Sequence, residues 1–314
     1  MYDIRARFGW YCVLVTVLIS PLAETSIALM HSILIVDDDP DIHDLLTAGL
    51  AGGNYLIDHA YDGLQGLQAL EAKPFELVIT DIRMPQLDGL ELLKKIHQAR
   101  PGTKVLVMTA ESTPAKIISS LRDHAYAFFP KPFSLNAVSE LVDRALSSSI
   151  SERDIEVLSA IPRWIALNLR CKLEIADQII PFLQQLETDL SAQEREDVGT
   201  AFRELLMNAI EHGGHSDPSM TVRLDYIRTA QSIIYKIWDP GQGFSFEDLR
   251  HAAVSNSPDA PFEHLEIREK LGLRAGGFGI LLSRQLADEL IYNQAGNEVL
   301  FIKHLEKRAA QESH

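Results

Sequence analysis

The sequence is poor in cysteine and in clustered basic residues, and both shortages exclude some classes of function. Its two cysteines, Cys12 and Cys171, lie far apart in the chain. This spacing argues against a disulfide framework or a cysteine metal site and fits a reducing compartment. The formal net charge is −15 at pH 7, and Lys and Arg form no cluster. Nucleic-acid binders usually carry a basic patch, so we predict no nucleic acid among the partners.

Long apolar runs are also scarce. The run from Trp10 to Ile19 follows Arg5 and Arg7, and it resembles a signal-peptide core but is too short for a comfortable membrane span. Folded-domain sequence begins directly at Met30. We therefore interpret residues 1–29 as a start site assigned too early, with a membrane anchor as the alternative. Export fits worst, because the chemistry that follows looks cytoplasmic, and a cytoplasmic location is predicted.

The chain otherwise has the composition of a globular protein. Its 314 residues are 46% hydrophobic and 23% charged, which is enough for two domains. From residue 30 to 149, five short apolar runs alternate with helical segments; the runs are SILIV, YLIDHAY, ELVIT, KVLVMT and AFF. This alternation predicts an α/β domain with a doubly wound parallel sheet. Such sheets carry their sites at the carboxyl ends of the strands.

Polar side chains fall at those strand ends. Asp37 and Asp38 follow the first strand, Asp81 the third, Thr109 the fourth and Lys131 the fifth. Carboxylates gathered at one edge repel each other unless a cation lies among them, and carboxylate oxygens with water suit Mg²⁺. A lysine and a hydroxyl beside them suit a phosphoryl group. The alternative is that the acids merely cap strands.

This set resembles the response-regulator receiver domain, which has a flavodoxin-like fold. The motifs VDDD, ITDIRMPQLDG, VMTA and FPKPF appear in order within residues 30–149. The resemblance implies that Asp81 accepts a phosphoryl group from an upstream histidine kinase or phosphotransfer protein. It also implies a Mg²⁺ site formed by Asp37, Asp38, Asp81 and the backbone carbonyl of Arg83.

The same resemblance assigns the remaining polar positions. Thr109 and Lys131 would bind phosphoryl oxygens, and the Lys131–Pro132 bond would be cis. Phe128 would be a rotating aromatic, although an aromatic residue in a buried strand is more often plain core.

The sequence after this domain shows no sign of two kinds of output domain, a DNA-binding domain and a conventional histidine kinase. No helix-turn-helix is evident, and no histidine lies between Phe133 and Ala201. A conventional histidine kinase needs a phosphoacceptor histidine on a dimerising helix, so a hybrid histidine kinase is disfavoured. We assign residues 150–160 to a linker, 161–306 to a second domain and 307–314 to a tail.

The second domain contains a helix with an unusual polar stripe. In FRELLMNAIEHGGH, Glu204, Asn208 and His212 stand four residues apart and share one face. Asparagine favours caps and turns over helix interiors, so the stripe is expected to face something specific. The apolar face is predicted to comprise Val198, Ala201, Phe202, Leu205 and Ala209.

Two glycine-rich turns follow that helix. Asp239 ends a predicted strand and could accept a hydrogen bond from an exocyclic amine. Glycines allow tight turns and the close approach of backbone N–H groups to phosphate, although each motif alone is weak. The turns contain Gly241 and Gly243 in DPGQG, and Gly276, Gly277 and Gly279 in RAGGFG. A helix is predicted over Ile280–Leu290, and NEVLFIKHL is predicted as an edge strand.

Together with Asn208, these turns resemble the GHKL, or Bergerat-fold, ATPase domain, an α/β sandwich. Within that fold, ELLMNAIEHG and RQLADELIYNQAGNEVLFIKHL are most similar to the anti-sigma-factor type of serine kinase. The resemblance implies that Asn208 ligates Mg²⁺ bridging the phosphates of ATP and that Asp239 reads the adenine amino group. The glycine turns would hold the lid and the phosphates. Glu204 would be a general base that takes a proton from a serine hydroxyl or water.

The combined prediction is a two-component signalling protein. Its receiver, phosphorylated on Asp81, would control an ATP-binding protein serine/threonine kinase domain. By analogy, the partner is an anti-sigma-factor antagonist or a sigma factor. The alternative is a binding module in which ATP only shapes a surface that sequesters the partner. A homodimer is left open.

Overall fold

Two sheets organise the chain in the computed structural model, which describes residues 30–111, 113–187, 189–244, 270 and 278–305. The elements of the first sheet are β1 (His31–Val36), α1 (Pro40–Leu50), β2 (Tyr55–Ala60), α2 (Gly63–Ala72), β3 (Leu77–Asp81), α3 (Gly89–Ala99), β4 (Lys104–Thr109), α4 (Pro114–Arg122), β5 (Ala127–Pro130) and α5 (Leu135–Ser147). The strand order is β2-β1-β3-β4-β5, and all neighbours are parallel. The predicted doubly wound parallel sheet is confirmed.

Local sequence explains where the helices of this sheet begin. A capping side chain precedes each helix and accepts a hydrogen bond from a backbone N–H of the first turn; the caps are Asp39, Asp62, Asp88, Thr113 and Ser134. All residues of β3 are buried. This burial follows from the position of β3 between β1 and β4, with helices on both faces of the sheet.

The strand order brings two predicted acids together. β1 lies between β2 and β3, so the direction of winding reverses beside it. Val36 of β1 pairs with Thr80 of β3, and the residues that follow, Asp37 and Asp81, therefore lie at the same carboxyl edge. Open α/β sheets bind their ligands at this point of reversal.

The second sheet has six strands with antiparallel neighbours. Its elements are β6 (Ile155–Ile161), β7 (Trp164–Arg170), α6 (Glu174–Leu186), α7 (Ala192–Asn208), a π-helical turn (Ala209–Gly213), β8 (Thr221–Arg228), β9 (Ser232–Trp238), α8 (Gly279–Leu286), β10 (Glu289–Tyr292) and β11 (Glu298–His304). The order is β10-β11-β9-β8-β7-β6. The predicted second α/β domain is confirmed at the level of its sheet and helices.

Helix α7 packs on this sheet through the face that the sequence predicts. It contacts β9, β11, α6 and α8. The Phe202 ring lies 4.5 Å from the Tyr235 ring of β9. The predicted apolar face is confirmed as buried throughout, at Val198, Ala201, Phe202, Leu205 and Ala209.

The C-terminal strands differ from the prediction. Residues 298–304 form an internal strand, because β10 covers the edge of β11 that the sequence analysis left free. The helix predicted over Ile280–Leu290 ends at Leu286. Asp288 accepts hydrogen bonds from His304 N and Lys303 Nζ of β11. This anchoring favours a strand over the helical propensity of the next residues, as tertiary context commonly does.

The residues assigned to a linker also carry structure. Glu152–Asp154 form a short 3₁₀ helix, and Ile155–Ile161 form β6, the edge strand paired with β7. A register shift lies between Val157 and Ser159, and such an irregularity weakens the alternating pattern by which a strand is found in sequence.

The two sheets are joined by packed secondary structure. Helix α4 contacts β6 and α6, and β5 contacts α6. One apolar cluster includes Ile117 and Leu121 of α4 together with Ile155 and Ile179 of the second domain. The guanidinium group of Arg122 donates a hydrogen bond to the Ala160 carbonyl.

The apolar run from Trp10 to Ile19 lies outside the described residues. Among the residues that are described, none of the helices has the length and hydropathy needed to cross a bilayer. The interpretation of residues 1–29 therefore stays a prediction.

Candidate functional site

The carboxyl edge of the first sheet gathers three charged side chains. Lys131 Nζ lies 2.7 Å from Asp37 Oδ2 and 2.9 Å from Asp81 Oδ1. Asp37 follows β1, Asp81 ends β3, and Lys131 follows β5. The Asp37 side chain is 1% exposed and that of Asp81 is 8% exposed. One lysine thus bridges two buried carboxylates; the order of the strands predicts that the three residues meet at this edge, but not that the lysine lies between the acids.

Backbone groups hold these carboxylates in place. Arg83 N donates to Asp81 Oδ2 at 2.6 Å, and Asp39 N donates to Asp37 Oδ1 at 3.0 Å. A Cβ placed on Gly89 would lie 1.9 Å from the Asp81 carbonyl oxygen. Only glycine fits there, so Gly89 is a supporting residue that the sequence analysis missed. Its signal was the turn-forming Asp-Gly pair in QLDG.

Burial and pairing compete in setting the protonation of this site. Burial raises the pKa of the Asp37 carboxyl, and the hydrogen bond from Lys131 only partly opposes that effect. Burial alone would lower the pKa of Lys131, but its hydrogen bonds to Asp37 and Asp81 raise it above the ordinary value. The lysine therefore stays cationic and neutralises part of the negative charge.

The remaining residues predicted for this site lie around that centre. Thr109 is buried at the end of β4, and its hydroxyl accepts a hydrogen bond from Glu111 N at 3.1 Å. Asp38 is exposed beside Asp37. Arg83 lies 3.6 Å from Glu111 Oε2, and Lys116 lies closer to the same oxygen, at 2.9 Å.

The chemistry of the donors fits Mg²⁺, although the carboxylates now converge on a lysine. Among the residues described, no group of three or more His, Cys, Asp or Glu side chains is arranged as a metal site. The ammonium group of Lys131 lies between Asp37 and Asp81. Two buried carboxylates with an exposed third one beside them are the oxygen ligands that Mg²⁺ prefers. The ligand roles of Asp38 and of the Arg83 carbonyl stay predictions.

Two further predictions concern β5 and the loop after it. The Lys131–Pro132 bond is cis, as predicted. Phe128 is 2% exposed and belongs to the apolar core. Its packing agrees with the plain-core alternative in the described conformation, and the rotation stays a prediction.

The polar stripe of α7 faces a cleft of about 1210 Å³ in the second domain. Glu204, Asn208 and His212 all line it. The helix widens after Asn208, where Gly214 N donates to Ala209 O at 2.8 Å, five residues back. His212 lies within this π turn and still lines the cleft, and π turns are frequent at functional sites.

Asp239 forms another wall of the cleft. It follows β9, and its Oδ1 accepts a hydrogen bond from Gly241 N at 2.9 Å. Burial raises the pKa of the Asp239 carboxyl, opposed by that hydrogen bond. A Cβ placed on Gly213 would lie 2.2 Å from Asp239 Cγ. The end of the stripe helix therefore reaches Asp239 only because glycine stands there.

The start of α8 lies against Glu204. A Cβ placed on Gly279, the first residue of α8, would lie 2.6 Å from Glu204 Oε2. The carboxylate thus lies at the N-terminal end of this helix, where backbone N–H groups favour negative charge. Gly276 and Gly277 lie outside the described residues, and their phosphate-binding roles stay predictions.

The turn between β10 and β11 completes the cleft and was missed by the sequence analysis. Gly243 and Gly296 have φ of 77° and 81°, a region that favours glycine. A Cβ placed on Gly243 would lie 1.9 Å from the Ala295 carbonyl oxygen. Asn297 lines the cleft and contacts the Asp239 turn. Its signal was a second glycine turn, in NQAGN, far from Asp239 in sequence.

Comparison with known proteins agrees with this division of the chain. Residues 33–143 match the response regulator receiver domain family, and residues 170–303 match the histidine kinase-like ATPase domain family. The chain thus contains a receiver domain followed by an ATPase domain. A receiver domain implies a phosphodonor such as a histidine kinase, and an ATPase domain implies ATP binding.

Similar proteins share only part of the chain. It is 39% identical over 113 residues to the DNA-binding transcriptional regulator NtrC of Escherichia coli, covering 36% of this chain and 24% of that protein. It is 32% identical over 138 residues to the transcriptional regulatory protein GlrR of Escherichia coli, covering 44% and 31%. The chain therefore spans about a quarter to a third of the length of these relatives. A crystal structure of a CheY-like receiver domain protein from Methanospirillum hungatei JF-1 is 33% identical, with a TM-score of 0.36, over 37% of this chain and 94% of that one.

Proposed function

We propose that phosphorylation of Asp81 controls an ATP-binding output domain of the anti-sigma-factor serine-kinase type. The packing of α4 and β5 on β6 and α6 carries this proposal. These contacts join the acidic site to the nucleotide cleft through contiguous elements of one chain. We expect a change at the end of β4 or β5 to be transmitted through these contacts to the second domain.

At the acidic site, Asp81 is the proposed phosphoacceptor. One of its carboxylate oxygens forms the new P–O bond while the P–N bond of a phosphohistidine donor breaks, and the imidazole leaves with the bonding electron pair. Lys131 Nζ, 2.9 Å from Asp81 Oδ1, is placed to pair with a phosphoryl oxygen, and the Thr109 hydroxyl would bind another. Mg²⁺ supplies further neutralisation of the charge on these oxygens when bound. The residues proposed to hold it are Asp37, Asp38, Asp81 and the Arg83 backbone carbonyl.

In the cleft, three residues divide the recognition of ATP and its chemistry. Asp239 would accept a hydrogen bond from the adenine amino group, and Asn208 would be the residue that holds Mg²⁺ at the phosphates. Glu204 takes the proton of a serine hydroxyl on the partner as that oxygen attacks the γ-phosphorus and ADP leaves. The proposed partner is an anti-sigma-factor antagonist or a sigma factor.

The binding-module alternative is favoured by one observation. Glu204 Oε2 lies against Gly279 at the start of α8, so its carboxylate can stabilise that helix end instead of taking a proton. In that case ATP shapes the surface that binds the partner, and no phosphoryl group is transferred.

The route between the sites runs through α6. Asp177 of α6 forms an ion pair with Arg203 of α7 at 2.9 Å. Gln184 Nε2 of α6 donates to Arg195 O of α7 at 3.1 Å. Asn208 lies at the end of the same helix α7. A displacement of α6 by α4 would therefore reach the proposed metal ligand in the cleft.

The test incubates the full chain with γ-labelled ATP and purified antagonist or sigma-factor candidates, with and without acetyl phosphate. Label on a partner serine that Glu204→Gln removes, at a rate that acetyl phosphate changes in the wild type but not in Asp81→Asn, would support the regulated kinase. Nucleotide-dependent capture of the partner without label would identify the binding module. Identical rates or capture with and without acetyl phosphate would reject control by the receiver.

A further inference from the structure

Two turns that contact each other form the side of the cleft that carries Asp239. The first follows β9 and presents Asp239; the second joins β10 to β11 and contains Asn297. Asp239 N donates to Asn297 O at 3.0 Å. Gly243 of the first turn lies against Ala295 of the second, and Gly296 lies against Phe244, each too close to admit a Cβ. The two turns are therefore in direct backbone contact.

The Asn297 side chain spans the gap between the turns. Its Nδ2 donates to the backbone carbonyls of Asp239 and Gly241, at 3.4 and 3.3 Å. Both distances lie beyond the usual range of about 2.7–3.2 Å for N–H···O bonds, so each bond is weak, and one amide nitrogen has the two hydrogens they require. Between those carbonyls lies the tight turn in which Gly241 N bonds back to Asp239 Oδ1. Asn297 thus holds both ends of the segment that aims the Asp239 carboxylate.

A second amide fixes the orientation of the first. Asn293 Nδ2 donates to Asn297 Oδ1 at 2.9 Å. Asn293 Oδ1 meanwhile accepts from three backbone N–H groups, those of Gly296 at 2.7 Å, Asn297 at 3.1 Å and Glu298 at 3.3 Å. Since Asn293 can offer only its Nδ2 to Asn297, the Asn297 amide must turn its own Nδ2 toward the Asp239 turn.

We infer that Asn297, oriented by Asn293, is a positioning residue for base selection in the nucleotide cleft. It acts through Asp239 and not by touching the phosphates. This inference rests on the proposed reading of adenine by Asp239. It assigns the discrimination between adenine and guanine nucleotides to the β10–β11 turn as well as to the Asp239 turn.

The test compares ATP and GTP binding by calorimetry on the full chain with Mg²⁺. Asn297→Asp keeps the shape and the acceptor but removes the donor, and Asn297→Ala removes both. We expect ATP affinity to fall about tenfold in each variant, with GTP affinity changing less. The readout is the ratio of the ATP affinity to the GTP affinity, called the ATP:GTP ratio. Any repulsion between the new Asp and the triphosphate cancels in this ratio, because both nucleotides carry the same triphosphate. An unchanged ratio in both variants would overturn the inference.

Two further variants separate this role from a structural one. Asn293→Asp retains the acceptor for the three backbone N–H groups and loses only the donor to Asn297, so it should lower the ATP:GTP ratio while leaving the melting temperature of the nucleotide-free protein unchanged. Asn168→Ala on β7 removes a side-chain amide bonded to Glu156, outside the cleft, and should leave the ratio at the wild-type value. A ratio that falls only in step with the melting temperature would show a structural role and reject the inference.

Asp239→Asn distinguishes failure of this inference from failure of the proposed function. A lost ATP preference in Asp239→Asn with a retained preference in both Asn297 variants would reject the positioning role alone. A retained preference in Asp239→Asn would reject the adenine-reading role of Asp239, and with it the premise.

Discussion

The acidic site of the receiver and the cleft of the ATPase domain differ in how much charge and how much space they present to a ligand. At the acidic site, Lys131 lies within 2.9 Å of two buried carboxylates, so the chain itself supplies the counter-charge. In the cleft, Asn208 and Asp239 line a space of about 1210 Å³. A phosphoryl group needs a small, charged, pre-formed pocket. A nucleotide needs room, with a few polar groups that fix its orientation.

The sharpest test of the acidic half is Asp81→Asn. The substitution removes the nucleophilic carboxylate while leaving Asp37 and Lys131 in place, and labelling by acetyl phosphate with Mg²⁺ should be lost. The measurement is the amount of phosphoryl label bound to the protein, identified as an acyl phosphate by its lability to base and its sensitivity to hydroxylamine. Asp44→Asn, an exposed acid on α1, is the matched control and should label normally. Undiminished labelling of Asp81→Asn would place the phosphoacceptor elsewhere.

The corresponding test of the cleft is Asn208→Ala. Loss of the proposed metal ligand should weaken Mg·ATP binding by about tenfold to a hundredfold, the usual cost of removing a partner of a charged group. ATP without Mg²⁺ should bind nearly as it does to the wild type. Gln193→Ala, exposed at the other end of α7, is the control for changes in the helix. Equal Mg²⁺ dependence in all three proteins would contradict the role of Asn208.

The junction between the halves is tested by Arg122→Ala. This change removes the hydrogen bond from α4 to the Ala160 carbonyl of β6 without touching either site. Coupling between two sites is typically about 1–3 kcal/mol, or about 5- to 150-fold in affinity, and we expect the effect of acetyl phosphate on ATP affinity to shrink toward none. Lys95→Ala, on the exposed side of α3, should keep the full effect. Coupling that survives Arg122→Ala would show that this bond does not transmit it.

The smallest expected effect concerns the lifetime of the phosphorylated state. Arg83 and Glu111 form an ion pair at 3.6 Å beside the acidic site, with Lys116 closer to the same oxygen. Lys116 and then Arg83 lower the pKa of Glu111, so the carboxylate stays charged at neutral pH. If the pair obstructs the hydrolytic water, replacing both residues by Ala should speed loss of label from Asp81 a few-fold. Lys116→Ala alone should leave Arg83 and Glu111 paired and the decay slow. Unchanged decay in the double variant would leave the pair a surface ion pair without kinetic role.

Predictions from the sequence were confirmed where they depend on local patterns or on the order of the strands. Five apolar runs alternating with helical segments predicted the parallel sheet, and with it the meeting of Asp37, Asp81 and Lys131. The 3.6-residue period of α7 predicted which face is buried. These signals are local or follow from strand order, so they need no knowledge of side-chain packing.

They failed where distant segments compete for the same residues. The helical pattern after Gly279 ends at Leu286, because Asp288 is held by β11 and the chain pairs as β10. The register shift in β6 concealed a strand in the assigned linker. The π turn after Asn208 was not predicted from the sequence. At Asp288 a tertiary contact outweighs a helix propensity of about a few tenths of a kcal/mol per residue.

The sequence by itself therefore determined the two domains, the acidic edge and the polar helix that faces the cleft, because periodicity and strand order specify where polar residues emerge. Only the tertiary structure decided that Lys131 bridges the two carboxylates, that Glu204 lies against the start of α8, and that the Asn293–Asn297 amides hold the Asp239 turn. Those contacts join residues tens of positions apart in the chain. Whether they form depends on differences of a few tenths of an ångström in side-chain position, which no local sequence pattern encodes.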